Sequence, residues 1–529
     1  MTAHPMLIAG EWRSAPADAS TFQPSNPSTG ELLPDTYPVA SSAEIDALLD
    51  AGLSASQTLA ETDPTAIAAF LEAYADGIAA ATDELAALAS TETGLPVKPR
   101  LEVVEIPRTT GQLRQAAAAA RAGDWKQPVI DTANNLRSQL EPLGKPVLVI
   151  GPNNFPFAFN GIAGGDFAAA IATGHAVIAK AHPAHPGTSK RLAEIALAAT
   201  ATAGVPTATI QLYYRSSHAE GHRMASDPRL GAIGFTGSEG AGRKIKAAAD
   251  AVGKPAYFEL SSVNPVAFLP GALAEKAADL ATEFSGSCLL GTGQFCTNPG
   301  LLLTIAGADT ETFLTTAAAN FNAAPSGVML VPSLPGELDA SVKALVADGA
   351  ELMGRGTQPT EPGFRAQPAL LRVSGATFLG DPKAFQREMF GPGALVVVAA
   401  DADELAAVAE HLESSLTASF YSASDGSDDA LYDRLVPIIA AKAGRLLNDK
   451  MPTGVAVSPA MVHGGPFPAG GHPGFTAVGI PASLRRFGAL RCYDNVRAGR
   501  LPATLQDKNP NGVIWRLIDG TWTQADVAS

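Results

Sequence analysis

Apolar residues along this chain fall first into a helical rhythm and then into short buried runs. In AIAAFLEAYADGIAAATDELAALAS (66–90) they recur at helical spacing, and the rhythm stops before Gly94 and Pro96. Residues 43–122 therefore read as helices. A lead-in rich in Pro, Ser, Asn and Thr precedes them at 20–38, and residues 126–142 read as an extended polar arm.

From Pro146 the period changes. PVLVIGP is a short β-branched run closed by Gly-Pro, the pattern of a buried strand. GGDFAAAIATG then reads as helix, HAVIAKAHP as strand, TSKRLAEIALAAT as helix and TIQLYY as strand. LGAIGFTGS reads as a strand and turn, and GAGRKIKAAAD as a helix. Such alternation predicts an α/β protein with a mostly parallel sheet and helices on both faces. A second alternation runs from near residue 257 to about 460, with a surface loop expected at 353–368.

The 529 residues are too many for one core, so roughly two to four structural units are expected. A net charge of −15 argues against nucleic acid and anionic membranes as main partners, because both require a basic surface. An anionic small substrate held by local arginines stays compatible with it. The three cysteines, Cys288, Cys296 and Cys492, are too few and too scattered for a disulfide framework, which points to a reducing cytoplasm. The start, MTAHPMLIAGEW, reads as no signal peptide, and no apolar run approaches a membrane span.

Five stretches carry candidate chemistry. GTGQFCTNPG (291–300) sets Cys296 among glycines and small polar residues, a placement suited to nucleophilic attack, although buried cysteine is the commoner use. Cys288 and Cys492 read as buried filler. PNNFPFAF (152–159) offers an asparagine amide for an oxyanion, or plain turn chemistry. YFELSSVNP (257–265) puts Glu259 at an apolar strand end, where a carboxylate suits a general base. FTGSEGAG (235–242) gives a glycine turn opening a helix, a phosphate cradle or an ordinary strand-to-helix turn. REMFGPG (387–393) places Glu388 beside a turn, where by itself it reads as an exposed acid. HAEGH (218–222) lacks the zinc-helix arrangement, and Gly221 weakens a helix there. Pro183 separates His182 from His185, so no metal is expected.

In this order, the Asn-Phe-Pro segment, the lysine strand, the FTGS turn, the Glu-Leu pair, the G-Q-x-C loop and E-x-F-G-P resemble the aldehyde dehydrogenase superfamily over nearly the whole chain. KAHPAHPGTS (180–189), GQFCTNPG (293–300), PRTTGQLR (107–114), HGGPFPA (463–469) and LQDKNPNGVIWRLIDG (505–520) are most similar to its 2-oxoglutarate semialdehyde (2,5-dioxovalerate) dehydrogenases. NADP-linked fatty-aldehyde members share several of these stretches.

The resemblance implies an aldehyde dehydrogenase-like fold with two parallel-sheet α/β domains and an oligomerisation arm. It divides the chain into a Rossmann-type cofactor domain (1–125 and 145–258), a catalytic domain (259–462), and the arm with a C-terminal segment (126–144 and 463–529). It implies a homodimer or homotetramer. Cys296 would be the nucleophile, Asn154 and the Cys296 N–H the oxyanion donors, and Glu259 the base that activates water against the thioester. Lys180, Gly237, Ser238, Gly242, Glu388 and Phe390 would hold the cofactor.

Where NAD-preferring relatives carry a glutamate three residues after the lysine, this chain has Pro183, which favours NADP over NAD. Thr188, Ser189, Arg215 and His218 are further candidates toward a 2′-phosphate. Arg108 would meet the oxo-acid end of the substrate, and Phe155, Phe159, Phe295 and Phe467 would line its tunnel; Arg114 lies on the same helix. Two departures stand out, Asn153 where many relatives carry Trp and Ser261-Ser262 where many have glycine. The expected reaction is NADP-dependent oxidation of 2-oxoglutarate semialdehyde to 2-oxoglutarate. The alternatives are broad or fatty-aldehyde oxidation, and acylation of coenzyme A, against which Glu259 argues.

Overall fold

A computed structural model describes residues 3–528. Its first large sheet has seven strands. Ala256–Glu259, Ala232–Thr236, Val147–Ile150, Val177–Lys180 and Ile210–Tyr213 run parallel in that spatial order. Met6–Ile8 and Glu11–Arg13 extend the far edge antiparallel. The parallel strands are almost wholly apolar because helices cover both faces, as in any sheet buried on both sides. Strand order reverses about Val147–Ile150, so the crevice beyond the carboxyl ends of Val147–Ile150 and Ala232–Thr236 is where such sheets take ligands.

The second large sheet also has seven strands. Its order is Glu351–Arg355, Ala369–Ser374, Gly393–Ala399, Leu301–Ile305, Val266–Phe268, Ser415–Tyr421 and Ala443–Asn448, with only Glu351–Arg355 antiparallel. That edge strand takes Met353 to Arg355 out of the loop expected at 353–368, because their backbone pairs with Ala369–Ser374. Both alternations read from the sequence thus appear as parallel-rich sheets.

The N-terminal helical region comprises Ser42–Glu61, Pro64–Ala80, Thr82–Thr93, a π-helical stretch Val97–Glu105 and Ile106–Ala122. The first begins with a capping box between Ser41 and Glu44. Thr82–Thr93 stops at Gly94, whose left-handed backbone (φ 68°) ends the helix. His218–Ser226 is helical despite Gly221, because the Ser217 hydroxyl accepts from the Glu220 N–H and caps the first turn.

The polar arm forms a five-stranded sheet with the C-terminal segment. Leu136–Pro142 pairs antiparallel with Gly488–Asp494 and Val129–Asp131, which in turn pairs with Arg516–Ile518. Residues 463–487 do not join that sheet. They lie against the first large sheet, where Leu260 donates to the Ala469 carbonyl and Gly471 donates to the Phe258 carbonyl. Among the described residues no helix is long and apolar enough to cross a membrane.

Candidate active site

A cavity of about 450 Å³ opens at the switch point of the first sheet and reaches the second. Its wall combines Asn153 and Asn154 after Val147–Ile150, Gly237 and Ser238 after Ala232–Thr236, and Glu259 to Val263 at the end of Ala256–Glu259. Cys296, Glu388 and Phe390 close it from the other side. Residues from Asn153 to Phe390, 237 positions apart in sequence, therefore converge because parallel strands deliver their carboxyl ends to one edge.

The Cys296 loop turns through three consecutive left-handed residues, Gly291, Thr292 and Gly293 (φ 56°, 58° and 66°). At Gly293 a side chain is excluded outright, since a Cβ would lie 2.1 Å from the Gly391 carbonyl oxygen. Asn264 then fixes the loop by donating to the Cys296 and Asn298 carbonyls at 2.8 and 2.9 Å. Gln294 ties it to Val328 and Leu330. The Asn154 amide donates to the Gln294 carbonyl at 2.9 Å, which brings the expected oxyanion donor beside the thiol loop and leaves its second N–H available.

Between Cys296 and Glu259 stands His463. Its Nε2 is 3.4 Å from the Cys296 Sγ and 3.0 Å from the Glu259 Oε1. Both His463 and Glu259 are buried, and Glu259 Oε2 has no partner. Burial first, and the Glu259 carboxylate second, push the Cys296 thiol well above its ordinary pKa, while Arg108 pulls the other way. One nitrogen facing both side chains lets a single proton site be shared among the imidazole, the thiol and the carboxylate. Sequence reading gave His463 no role. It lay within HGGPFPA, a stretch noted only for its likeness to relatives, and it sits 167 residues from Cys296.

Asn154 is held from behind. Glu105, wholly buried, accepts from the Phe157 and Ala158 amides at 2.8 and 3.0 Å through one oxygen. Its other oxygen pairs with Arg100 at 2.5 Å. Arg100 donates in turn to the Asn154 carbonyl at 3.0 Å, and its guanidinium lies 4.4 Å over Phe155. Neither residue carried a sequence signal, because a Glu and an Arg on a helical surface pattern look solvated.

Arg108 lies 5.6 Å over Phe155 and 5.1 Å over Phe159, with its Nε and Nη2 buried and unpartnered. Desolvation lowers its pKa, against the attraction of Glu105, Cys296 and Glu259. Phe155 packs edge to face against both Phe159 and Phe295, in an apolar cluster that also holds Phe475. Phe467 is not part of that group: it is 55% exposed and faces Arg243 at 4.9 Å. Arg114 points elsewhere, to Asp76 at the surface.

Glu388 does not stand in solvent as its turn context suggested. It lines the cavity, and burial pushes it up to about 7 against the pull of the Ser261 hydroxyl and the Ser262 amide. Ser262 spends its own hydroxyl on Asn264 and the Leu416 amide, so the Ser-Ser departure is built into the wall. Gly242 is a packing position, since a Cβ there would lie 2.3 Å from Leu260. Lys180 is outside the cavity wall. Burial lowers it to about 8, with the nearby Arg215 cation adding to the effect.

Thr188 and Ser189 are unsuited to a phosphate. The Thr188 hydroxyl and the Gly187 and Thr188 amides donate to buried Glu92, and the Ser189 hydroxyl donates to the His185 carbonyl. Cys288 is buried as expected, whereas Cys492 is exposed on the strand Gly488–Asp494, at the end of a run of three exposed residues from Leu490.

The model of the aldehyde dehydrogenase family matches residues 12–435. The chain is 41% identical over 528 residues to alpha-ketoglutaric semialdehyde dehydrogenase 2 of Azospirillum brasilense, covering 97% of this chain and 98% of the relative. It is 37% identical over 453 residues to alpha-ketoglutaric semialdehyde dehydrogenase of Acinetobacter baylyi, covering 83% and 84%. Among solved structures, NAD-dependent aldehyde dehydrogenase from Sinorhizobium meliloti superposes with a TM-score of 0.78 at 24% identity, over 93% of this chain and 94% of that one.

Proposed function

Because the chain belongs to the aldehyde dehydrogenase family, we propose that this enzyme oxidises the semialdehyde of a short oxo acid, 2-oxoglutarate semialdehyde, with NADP as cofactor. The observation that carries the substrate class is Arg108. A half-buried arginine with two buried, unpartnered guanidinium nitrogens is costly unless an anion completes it. Arg100 cannot serve, being neutralised by Glu105. The names of the two curated relatives support the same choice.

The chemistry follows from the chain's own groups. The Cys296 sulfur bonds to the aldehyde carbon while His463 receives the thiol proton. The carbonyl oxygen gains negative charge between the Asn154 amide and the Cys296 N–H. The nicotinamide, when bound, supplies the hydride acceptor, and what remains on Cys296 is a thioester. Glu259 then takes a proton from water as it attacks the thioester carbon, releasing the acid and restoring the thiol. The cavity wall of Gly237, Ser238, Glu388 and Phe390 suits a dinucleotide at the sheet's switch point.

Preference for NADP rests on Pro183, which leaves no carboxylate where a 2′-phosphate would come, and on Lys180 with Arg215. Half-buried Lys180 and exposed Arg215 are neighbouring like charges, and a dianion between them would relieve that repulsion. The five-stranded sheet exposes Leu490 and Trp522, with Trp515 exposed just before the strand Arg516–Ile518, which supports assembly into a homodimer or homotetramer through the arm. Free Cys288, Cys296 and Cys492 fit a reducing cytoplasm.

The test is reduction of NADP by purified protein with 2-oxoglutarate semialdehyde, succinic semialdehyde and hexanal, with Cys296→Ala as control. Preference for the first aldehyde, lost in Cys296→Ala, supports the proposal. Arg108→Ala should raise KM for the semialdehyde far more than for hexanal. Equal or better rates on hexanal overturn the substrate and leave the reaction class intact.

A further inference from the structure

The side chains that share one proton site in the catalytic centre are also a metal-ligand set. Cys296 Sγ, His463 Nε2 and a Glu259 oxygen all lie within 4.8 Å of one another. Among the described residues this is the only trio of His, Cys, Asp or Glu so arranged. Tetrahedral zinc, with Zn–S of about 2.3 Å and Zn–N and Zn–O of about 2.1 Å, requires ligand–ligand separations of roughly 3.3–3.6 Å. The Sγ–Nε2 distance is 3.4 Å and the Nε2–Oε1 distance is 3.0 Å, both within a few tenths of that requirement.

A second observation points the same way. Glu259 is 1% exposed, yet its Oε2 has no hydrogen-bond partner. A buried carboxylate oxygen left free can turn toward a cation without giving up a contact. Access is available too, because Glu259 and Cys296 both face the cavity, whose solvent can supply a fourth ligand.

We propose that Cys296, His463 and Glu259 form a binding site for Zn²⁺, in which the metal is a reversible inhibitor rather than a cofactor. The sulfur, nitrogen and oxygen donors match a borderline-soft cation and exclude Mg²⁺ and Ca²⁺, which take oxygen ligands. On binding, the thiol releases its proton to solvent, and the metal takes the place of the proton shared between the imidazole and its two neighbours. The sulfur pair that would attack an aldehyde is then committed to the metal. Coordination and catalysis are mutually exclusive, and a nicotinamide cofactor filling the cavity closes the path to the metal. The nearby Arg108 cation opposes binding, so the site is weaker than a dedicated structural zinc site.

Two other places on the surface compete for metal in any experiment. His218 and His222 lie four residues apart on the helix His218–Ser226, and Cys492 is an exposed thiol. Cobalt titration of the cofactor-free protein separates them, because only a thiolate ligand gives a sulfur-to-cobalt charge-transfer band and only a tetrahedral site gives intense visible bands. The expected result is both bands at one Co²⁺ per chain, displaced by added Zn²⁺ and unaffected by Mg²⁺. Cys296→Ala should abolish the charge-transfer band, and His463→Ala should weaken cobalt binding by more than about tenfold, a factor that even an outer-shell partner commands.

Cys492→Ser and His222→Ala should leave both bands unchanged. Should Cys296→Ala or His463→Ala fail to fold, alkylation of the wild type decides: Zn²⁺ should protect Cys296 from iodoacetamide, read by mass spectrometry of its peptide, while Cys492 stays reactive. Absence of the band in wild-type protein, its survival in Cys296→Ala, or equal alkylation of Cys296 with and without Zn²⁺ each overturns the site. No aldehyde enters these measurements, so their outcome is independent of the substrate proposed above.

Discussion

The Nε2 of His463 lies 3.4 Å from the Sγ of Cys296. The same nitrogen reaches Glu259 at 3.0 Å, so the proposed nucleophile and the proposed base share one proton position. Burial and the adjacent carboxylate hold the thiol above its ordinary pKa, and the thiolate population grows as pH rises. Removing the imidazole withdraws the ring that contacts both side chains. His463→Ala should lower kcat/KM by about 10²–10⁴-fold, the usual scale of general acid–base help. It should also move the alkylation rate of Cys296 to higher pH. Iodoacetamide labelling across pH checks this, and an unshifted profile contradicts it.

Glu105 and Arg100 hold Asn154, the proposed oxyanion donor, in place. Glu105→Ala strands the Arg100 charge among Phe155 and Phe295 and should cost about 3–5 kcal/mol of stability. Glu105→Gln keeps the shape but turns one acceptor into a donor facing either Arg100 or the Phe157 and Ala158 amides. It should lower kcat more than it raises aldehyde KM, because the oxyanion donor loosens while the aromatic pocket stays. Thermal melts with steady-state kinetics on both variants measure the two effects separately.

Lys180 should matter to one cofactor and not the other. Lys180→Met removes a cation that burial already holds at about 8 and that Arg215 disfavours further. The expected loss in kcat/KM with NADP is about tenfold or more, equivalent to about 1.4 kcal/mol, with little change for NAD. Equal losses with both cofactors would argue that Lys180 supports the strand and not the phosphate.

Glu388 gives a pH signature. Its carboxyl titrates near 7, so it is increasingly a carboxylate, and a better acceptor for ribose hydroxyls, as pH rises through that value. Cofactor KM should fall over this range in the wild type and stay flat in Glu388→Gln. The stability effect has the opposite sense. A carboxyl whose folded pKa is raised favours the folded state below its unfolded pKa, and that contribution is lost as pH rises through about 7. Burial raises Glu92 to about 7 as well. Melting temperature should therefore decline with pH across the window from ordinary carboxylate values to about 7, and less steeply in Glu388→Gln. A parallel course of the two melting curves would refute it.

Much of this protein is written locally. Val147–Ile150 and Val177–Lys180 are legible because consecutive β-branched or apolar residues between turn signals, four in the first and three before Lys180 in the second, fit a doubly covered strand. The helix Thr82–Thr93 ends where Gly94 says it should. The glycines before Cys296 announce a backbone that only a special loop requires, and the ordered motifs resemble the family to which the chain belongs. Strand, turn and motif are short-range properties, so they survive being read one segment at a time.

What the tertiary structure decided is which distant groups meet. His463 is 204 residues from Glu259, and it arrives only because Ala469 to Gly471 pair with the edge of Ala256–Glu259. Glu105 and Arg100 look like surface charges until the loop 154–158 closes over them. Thr188 and Ser189 look available until buried Glu92 and the His185 carbonyl take their hydroxyls. Phe467 and Cys492 share composition with core residues yet stand outside it, since exposure depends on what the rest of the chain covers. Hydrophobic periodicity fixes which face of an element is buried, but hydrogen-bond partners and proton sites are set by packing across hundreds of residues, and that information is in no single segment.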